Sequence, residues 1–172
     1  MSLPRKSTRN GTRGYAHLVE VEVPATRVWS ALIEPRLIRV WSGQESEIDP
    51  RQGGMYRIGK LEAGAREAHI DIFEPNRRLR LIYLNGRDSP PSDSAAVDDF
   101  ILDRRHGEGK TSLRLLGSGI PDAPEWDQTY MKVRMGWERF LARIKVTLES
   151  PPRPKKPVQI VPKDPPLPGL DY

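Results

Sequence analysis

The chain has 172 residues, of which 37% are hydrophobic, and it contains no cysteine. This length and hydrophobic content suffice for one domain with one substantial core. The lack of cysteine excludes disulfides, thiolate metal sites and thiol nucleophiles. Because the N-terminus is polar and no long apolar run follows it, we expect neither a secretory signal nor a membrane span, and therefore a cytoplasmic protein.

The formal net charge of +5 is concentrated at the two ends of the chain. Residues 1–14 carry four basic and no acidic side chains, and residues 150–172 carry four basic and two acidic ones. The intervening residues 15–149 therefore sum to −1. Because the body of the chain is nearly neutral, no specific nucleic-acid surface is predicted.

Both ends are expected to lie outside the folded domain, which we place at residues 15–149. Residues 1–14 are predicted to form a basic, flexible N-terminus. Residues 150–172 contain eight of the 17 prolines, and proline suits neither a helix interior nor a central strand, so a disordered tail is predicted. The run "PPRPKK" within the tail fits a Pro-rich docking pattern, although a solubilising extension is the favoured interpretation.

The predicted domain begins with one strand and two short helices. In "YAHLVEVEV" (residues 15–23) the alternation predicts a half-buried strand that carries Tyr15, His17 and Val19 on one face. "PATRVWSALIE" then has apolar residues at helical spacing, and "PRLIRVW" predicts a second helix that begins at Pro35. Trp29 and Trp41 are expected on the inner faces of these helices.

Six short strands and one long helix are predicted to follow. The strands are expected in "GQESEIDP", "GGMYRIGKL", "AREAHIDIFEP", "RRLRLIYLN", "AAVDDFILDRR" and "KTSLRLLGSG". Short turns between them favour an antiparallel meander. The helix is expected in "PEWDQTYMKVRMGWERFLARIKVTLE" (residues 124–149), where large apolar residues recur at helical spacing. The fold class is therefore α+β.

Five segments in this order resemble the SRPBCC or START-like superfamily, which has the Bet v-type helix-grip fold. They are "VPATRVWSALIEPRLIRVW", "DPRQGGMYRI", "EPNRRLRLIY", "GEGKTSLRLLGSG" and "MGWERFLARI". The likeness is closest to the AHSA-type branch, the homologues of the ATPase activator of the ninety-kilodalton heat-shock protein, and it covers residues 15–148. It implies a curved antiparallel sheet wrapped around the C-terminal helix, with the two short helices closing one end.

The resemblance also implies a cavity between the sheet and the long helix. In this superfamily such cavities often take lipids, sterols, polyketides or other apolar small molecules. Apolar walls with a few hydroxyl or indole groups suit such ligands. The predicted ligand-binding residues are Val19, Val21, Trp41, Tyr56, Tyr83, Phe100, Trp126, Tyr130, Val133 and Trp137. Each of them could instead fill a solid core. Of the two helical tryptophans, Trp41 is the candidate for ligand contact and Trp29 for the core.

A cyclase- or hydratase-type enzyme is the alternative, with His17 or Asp98 as the candidate catalytic residue beside a tyrosine. His17 shares a face with valines, and Asp98 alternates with Phe100 and Leu102. A carboxylate desolvated there would have a raised pKa and could act as an acid or base. For both residues a structural interpretation is favoured, namely a rim histidine and an aspartate solvated at the end of a strand.

Other catalytic and metal sites are not predicted. "GEGKTS" (residues 107–112) is similar to the end of a phosphate-binding loop, but Arg104 stands where the first glycine is required. The histidines His17, His69 and His106 have no metal-ligand spacing, and no serine has a nucleophile-elbow context. We expect no metal and no cofactor.

A third hypothesis follows from the AHSA resemblance alone. The chain could be a module that interacts with a chaperone or another protein in a stress response. The expected partners are thus a small apolar ligand and, under this third hypothesis, a chaperone or another protein. The sequence leaves monomer and dimer open.

Overall fold

The computed structural model describes residues 11–84, 95–104 and 107–151. Its helices and strands are β1 (Thr12–Val21), α1 (Ala25–Ile33), α2 (Pro35–Ser42), β2 (Ser46–Ile48), β3 (Met55–Ile58), β4 (Glu67–Glu74), β5 (Arg78–Tyr83), β6 (Val97–Asp103), β7 (Thr111–Pro121) and α3 (Asp127–Glu149). Single turns of 3₁₀ helix precede β4 and α3, at Leu61–Ala63 and Pro124–Trp126. This order confirms the predicted α+β class.

The seven strands form one antiparallel sheet in the order β1-β7-β6-β5-β4-β3-β2. After β1 and the two short helices, the chain resumes at the opposite edge of the sheet and returns strand by strand to β7, beside β1. Helix α3 packs against β1 and against both short helices. The predicted helix-grip architecture is confirmed.

Strand β1 begins three residues before the predicted strand. Thr12 and Arg13 pair with the C-terminal end of β7, and the register shifts between Arg13 and Tyr15. The hydropathy pattern could not indicate this extension, because the extra residues are polar or glycine and the pairing is made by the backbone. Residues 12–14 therefore belong to the strand and not to the flexible terminus. The rest of that terminus, residues 1–10, and residues 152–172 of the predicted tail lie outside the described part.

Prolines and a glycine set the ends of the two short helices. Pro24 precedes α1 with extended backbone, and Pro35 is the first residue of α2, where its missing N–H breaks no helical hydrogen bond. Gly43 ends α2 in the left-handed conformation at φ 71°, which glycine adopts without steric cost. Both helices therefore start and stop where the sequence pattern predicts.

One hydrophobic core lies between the sheet and the three helices. Every second residue of β5 and β6 is buried, as alternation requires. The sheet and α3 contribute Leu79, Leu81, Phe100, Leu113, Leu115, Trp137, Leu141, Ile144 and Leu148. The buried positions of α3 begin only at Trp137. The N-terminal half of α3, residues 127–136, therefore fills only part of the space beneath it, with partly buried residues such as Tyr130 and Val133.

In the described ranges, no helix combines the length and the apolar composition that crossing a bilayer requires.

Candidate functional site

A cavity of about 580 Å³ lies beneath the N-terminal half of α3. Its apolar wall comes from β3, β5 and α3 and consists of Tyr56, Ile58, Tyr83, Val133, Trp137 and Phe140. Its polar side chains are Gln44, Arg66, Gln128, Thr129, Lys132 and Arg139, and Ala63–Ala65 and Gly136 complete the lining. The volume lies within the range of about 300–1,000 Å³ that is typical of small-molecule sites.

Four of the ten predicted ligand-binding residues line this cavity, namely Tyr56, Tyr83, Val133 and Trp137. Three others, Val21, Trp41 and Phe100, are buried in the core. The remaining three, Val19, Trp126 and Tyr130, are partly buried and pack against that core. Strand and helix periods identify the inward face of an element, but they do not show which part of that face is left uncovered.

Trp41 lies behind the cavity wall, contrary to the expectation that it contacts a ligand. Its side chain is only 1% exposed, and its indole N–H donates a hydrogen bond of 2.8 Å to the carbonyl of Ala31. Its ring meets Phe140 edge-on, with 5.3 Å between centroids. Trp41 therefore supports a cavity-lining residue from the core side. Trp29 is buried against Phe73, as expected of a core residue.

Asp98 is fully buried, which corrects the expectation of a solvated strand end. The hydroxyl of Tyr15 donates to its Oδ1. Its Oδ2 accepts hydrogen bonds from the Tyr83 hydroxyl at 2.6 Å and from the Trp137 indole N–H at 3.0 Å. Three donors on a carboxylate offset much of the free energy lost when the group leaves water. Because Tyr83 and Trp137 line the cavity, Asp98 lies directly behind its wall.

Tyr15 reaches Asp98 across β7 because residue 117 is glycine. Gly117 pairs with Tyr15 of β1 on one side and with Asp98 of β6 on the other. A Cβ atom at position 117 would lie 2.1 Å from the Tyr15 ring, a distance that no side chain tolerates. The bare backbone of Gly117 thus lets the ring lie across β7.

The buried position of this cluster shifts the pKa of each acidic group. Burial raises the pKa of Asp98 above the ordinary carboxyl value, while the charge of Arg66 and the three hydrogen bonds oppose that shift. Burial and the nearby charge of Asp98 raise the pKa of the Tyr15 and Tyr83 hydroxyls. Both tyrosines therefore remain protonated at neutral pH and act as hydrogen-bond donors.

Arg66 brings a positive charge to the cavity wall beside this cluster. Its guanidinium carbon lies 3.7 Å from the centroid of the Tyr83 ring, which is a cation–π contact. Its Nε atom is buried and has no hydrogen-bond partner among the described residues. Arg66 directly precedes β4 and lies within the predicted strand segment "AREAHIDIFEP". Its alternation with Ala68 and Ile70 indicates the inward face, but it does not indicate the contact with Tyr83.

His17, the other predicted catalytic candidate, is not part of the cavity lining. Its Nε2 atom lies 3.0 Å from the carbonyl oxygen of Arg134 on α3. His106 lies outside the described residues. Within the part of the chain that the structure covers, no three His, Asp or Glu side chains are grouped as metal ligands.

Comparisons with known proteins extend these observations. The crystal structure of protein MLL2253 from Mesorhizobium loti has 26% identity and a TM-score of 0.65, and the match covers 79% of this chain and 96% of that one. An HSP90 activator from Plasmodium falciparum has 19% identity and a TM-score of 0.66, with 80% and 97% covered. DynU16, a putative protein in the dynemicin biosynthetic locus, has 22% identity and a TM-score of 0.63, with 80% and 47% covered.

A search of curated proteins found no match. The family model described as "Activator of Hsp90 ATPase homolog 1-like protein" matches residues 22–149. This match spans α1 to the end of α3 and every strand except β1. The chain therefore belongs to the family of activator of Hsp90 ATPase homolog 1-like proteins.

Proposed function

We propose that this protein binds an apolar or amphipathic small molecule, such as a lipid or a polyketide, in the cavity beneath α3. The observation that carries the proposal is the apolar wall around an open volume of about 580 Å³. Protein interiors are normally close-packed, and exposed apolar concavities of this size commonly bind ligands. The aromatic rings of Tyr56, Trp137 and Phe140 offer flat contact surfaces for such a molecule.

Gly136 provides a way to obstruct part of the cavity while the fold is kept. It lies on α3 and lines the cavity, and a Cβ atom at this position would meet no heavy atom within 4 Å. Gly136→Leu is therefore expected to extend a branched side chain into the open volume. Gly136→Ala is the matched control, because a single methyl group leaves most of the volume free.

The experiment titrates the neutral, polarity-sensitive dye Nile red into wild type and both variants, after circular dichroism has shown that all three are folded. Wild type and Gly136→Ala should enhance the dye fluorescence, and Gly136→Leu should bind it about tenfold more weakly, because lost apolar contact of this size is worth roughly 1.5 kcal/mol. Native mass spectrometry of the purified protein would report any retained molecule. Absence of dye binding, or equal binding by Gly136→Leu, would contradict the proposal.

A chaperone-interacting module is the second candidate, and it rests on the family match over residues 22–149. Its test is the ATPase rate of the ninety-kilodalton heat-shock protein with and without this chain. The Gly136→Leu variant separates the two candidates, since its added side chain is directed into the cavity and is not expected to alter a docking surface elsewhere. An ATPase rate that the chain does not alter would remove this candidate.

The geometry does not favour an acid–base enzyme built on His17 or Asp98. His17 is not among the lining residues. Both oxygens of Asp98 already accept hydrogen bonds from the protein. The hydroxyl of Tyr83 donates its hydrogen bond to Asp98, and the pKa of this hydroxyl is raised further above neutrality. These residues therefore present no free base to a molecule in the cavity.

A further inference from the structure

The charged side chains that line the cavity all have one sign. Among its lining residues, Arg66, Lys132 and Arg139 are cationic, and none is a carboxylate. In the described part of the chain, no ion pair joins Lys132 or Arg139 to an acidic residue. Asp98 lies behind the wall and interacts with the charge of Arg66, but Lys132 and Arg139 leave the lining with a surplus of positive charge. A concave apolar site with such a surplus attracts an anionic group, and its low-dielectric walls strengthen that attraction.

Arg66 is the cation whose hydrogen bonds are incomplete. One face of its guanidinium lies on the Tyr83 ring, which fixes the group and supplies no acceptor. The two Asp98 oxygens are taken by Tyr15, Tyr83 and Trp137. The buried Nε–H group of Arg66 is thus a hydrogen-bond donor without an acceptor. Buried donors in folded proteins are almost always paired.

We infer that the ligand of this cavity is an amphiphile with an anionic head, most simply a carboxylate, that binds Arg66. Its apolar part lies against Val133, Trp137 and Phe140, which line the same cavity. A planar carboxylate matches the fork of guanidinium donors and supplies the acceptor that Nε lacks. Lys132 and Arg139 on α3 add long-range attraction for the same head. This inference rests on the proposed function and specifies its ligand class.

The experiment compares three ten-carbon molecules as competitors of Nile red. They are decanoate, decanol and decylammonium, which share one apolar chain and differ in the charge of the head. Wild type should bind decanoate at least tenfold more tightly than either of the others, because a charge-assisted hydrogen bond to Arg66 distinguishes them. Acetate at the same concentrations tests whether the head alone suffices, and it should not displace the dye.

Substitutions at Arg66 assign the preference to this residue. Arg66→Gln should weaken decanoate binding about tenfold and leave decanol binding unchanged, because only the charged partner is lost. Arg66→Lys keeps the charge without the fork and should retain part of the preference. Arg114→Gln is the matched control, since Arg114 is an exposed arginine on β7 outside the cavity lining.

Each outcome separates this inference from the proposed function. Binding of Nile red together with equal affinities for decanoate and decanol would overturn the inference and leave the proposed function standing. A decanoate preference that survives in Arg66→Gln would overturn the assignment to Arg66. Failure of wild type to bind either the dye or any of the competitors would overturn both.

Discussion

Replacing Asp98 by alanine removes the acceptor that three donors share. Tyr15, Tyr83 and Trp137 all donate to this carboxylate, and a buried donor left unpaired costs about 1–3 kcal/mol. Tyr83 and Trp137 line the cavity, so water can replace part of what they lose. Tyr15 lies against Gly117 and is not part of the lining, so its unpaired hydroxyl should lower stability by the full amount expected for a buried donor. We expect the free energy of unfolding to fall by about 3 kcal/mol in Asp98→Ala.

Asp98→Asn separates the loss of the acceptor from the loss of the charge. Its amide oxygen can still accept from Tyr83 and Trp137, and its amide N–H can donate to the oxygen of Tyr15. We therefore expect a loss of no more than about 1 kcal/mol. Urea unfolding followed by circular dichroism measures both variants against wild type.

The pH dependence of stability checks the same reasoning independently. Because burial raises the pKa of Asp98 in the folded protein, the folded state holds this proton more tightly than the unfolded chain does. Ionisation of Asp98 therefore lowers stability, and the loss grows as pH rises from about 4, the unfolded aspartate value, to the raised folded value. The free energy of unfolding of wild type should fall relative to that of Asp98→Asn across this window. At higher pH the difference between the two proteins should stay constant.

Two results would refute this account. One is an Asp98→Ala variant as stable as wild type, because the loss of the shared acceptor by three donors would then have no effect on the free energy of unfolding. The other is a wild type that gains stability relative to Asp98→Asn as pH rises from about 4, which would mean that the hydrogen bonds and Arg66 outweigh burial.

Three further substitutions test the packing around the site. Gly136→Ala should raise the free energy of unfolding by about 0.5–1 kcal/mol, measured by urea titration, because alanine is the better helix former and its methyl meets no neighbour. Gly117→Ala should lower it by about 2 kcal/mol, because the methyl displaces the Tyr15 ring; combining it with Tyr15→Phe should add less than the sum of the two. Tyr56→Phe removes the 2.7 Å hydrogen bond to the Leu32 carbonyl and should lower the thermal midpoint in proportion to a loss of about 1 kcal/mol.

The fold could be predicted because its local signals agree with one another. Alternation in "RRLRLIYLN" and "AAVDDFILDRR" corresponds to β5 and β6, and the helical period after Pro124 corresponds to α3. Short loops left an antiparallel meander as the simplest connection. Order and type of the elements are properties of neighbouring residues, so one sequence suffices to predict them.

The site was only partly predictable because its contacts join distant residues. Alternation with Phe100 and Leu102 placed Asp98 on the apolar face, but the rarity of buried charges favoured a solvated position. What stabilises it there are donors 83, 15 and 39 positions away in the sequence. The extent of the cavity likewise depends on where α3 stops filling the space above the sheet, which no local period reports.

The contact of Tyr15 with the bare backbone of Gly117 predicts which residues should vary together among related proteins. Residues 15, 117 and 98 lie side by side on three adjacent strands. A side chain at position 117, the middle one, would therefore displace the aromatic ring of residue 15. In an alignment of relatives, glycine at the middle position should accompany an aromatic residue at the first. Lineages that lose this pair should also replace the aspartate, since the ring no longer provides its third hydrogen bond. These positions would thus covary as one unit although they are far apart in the chain.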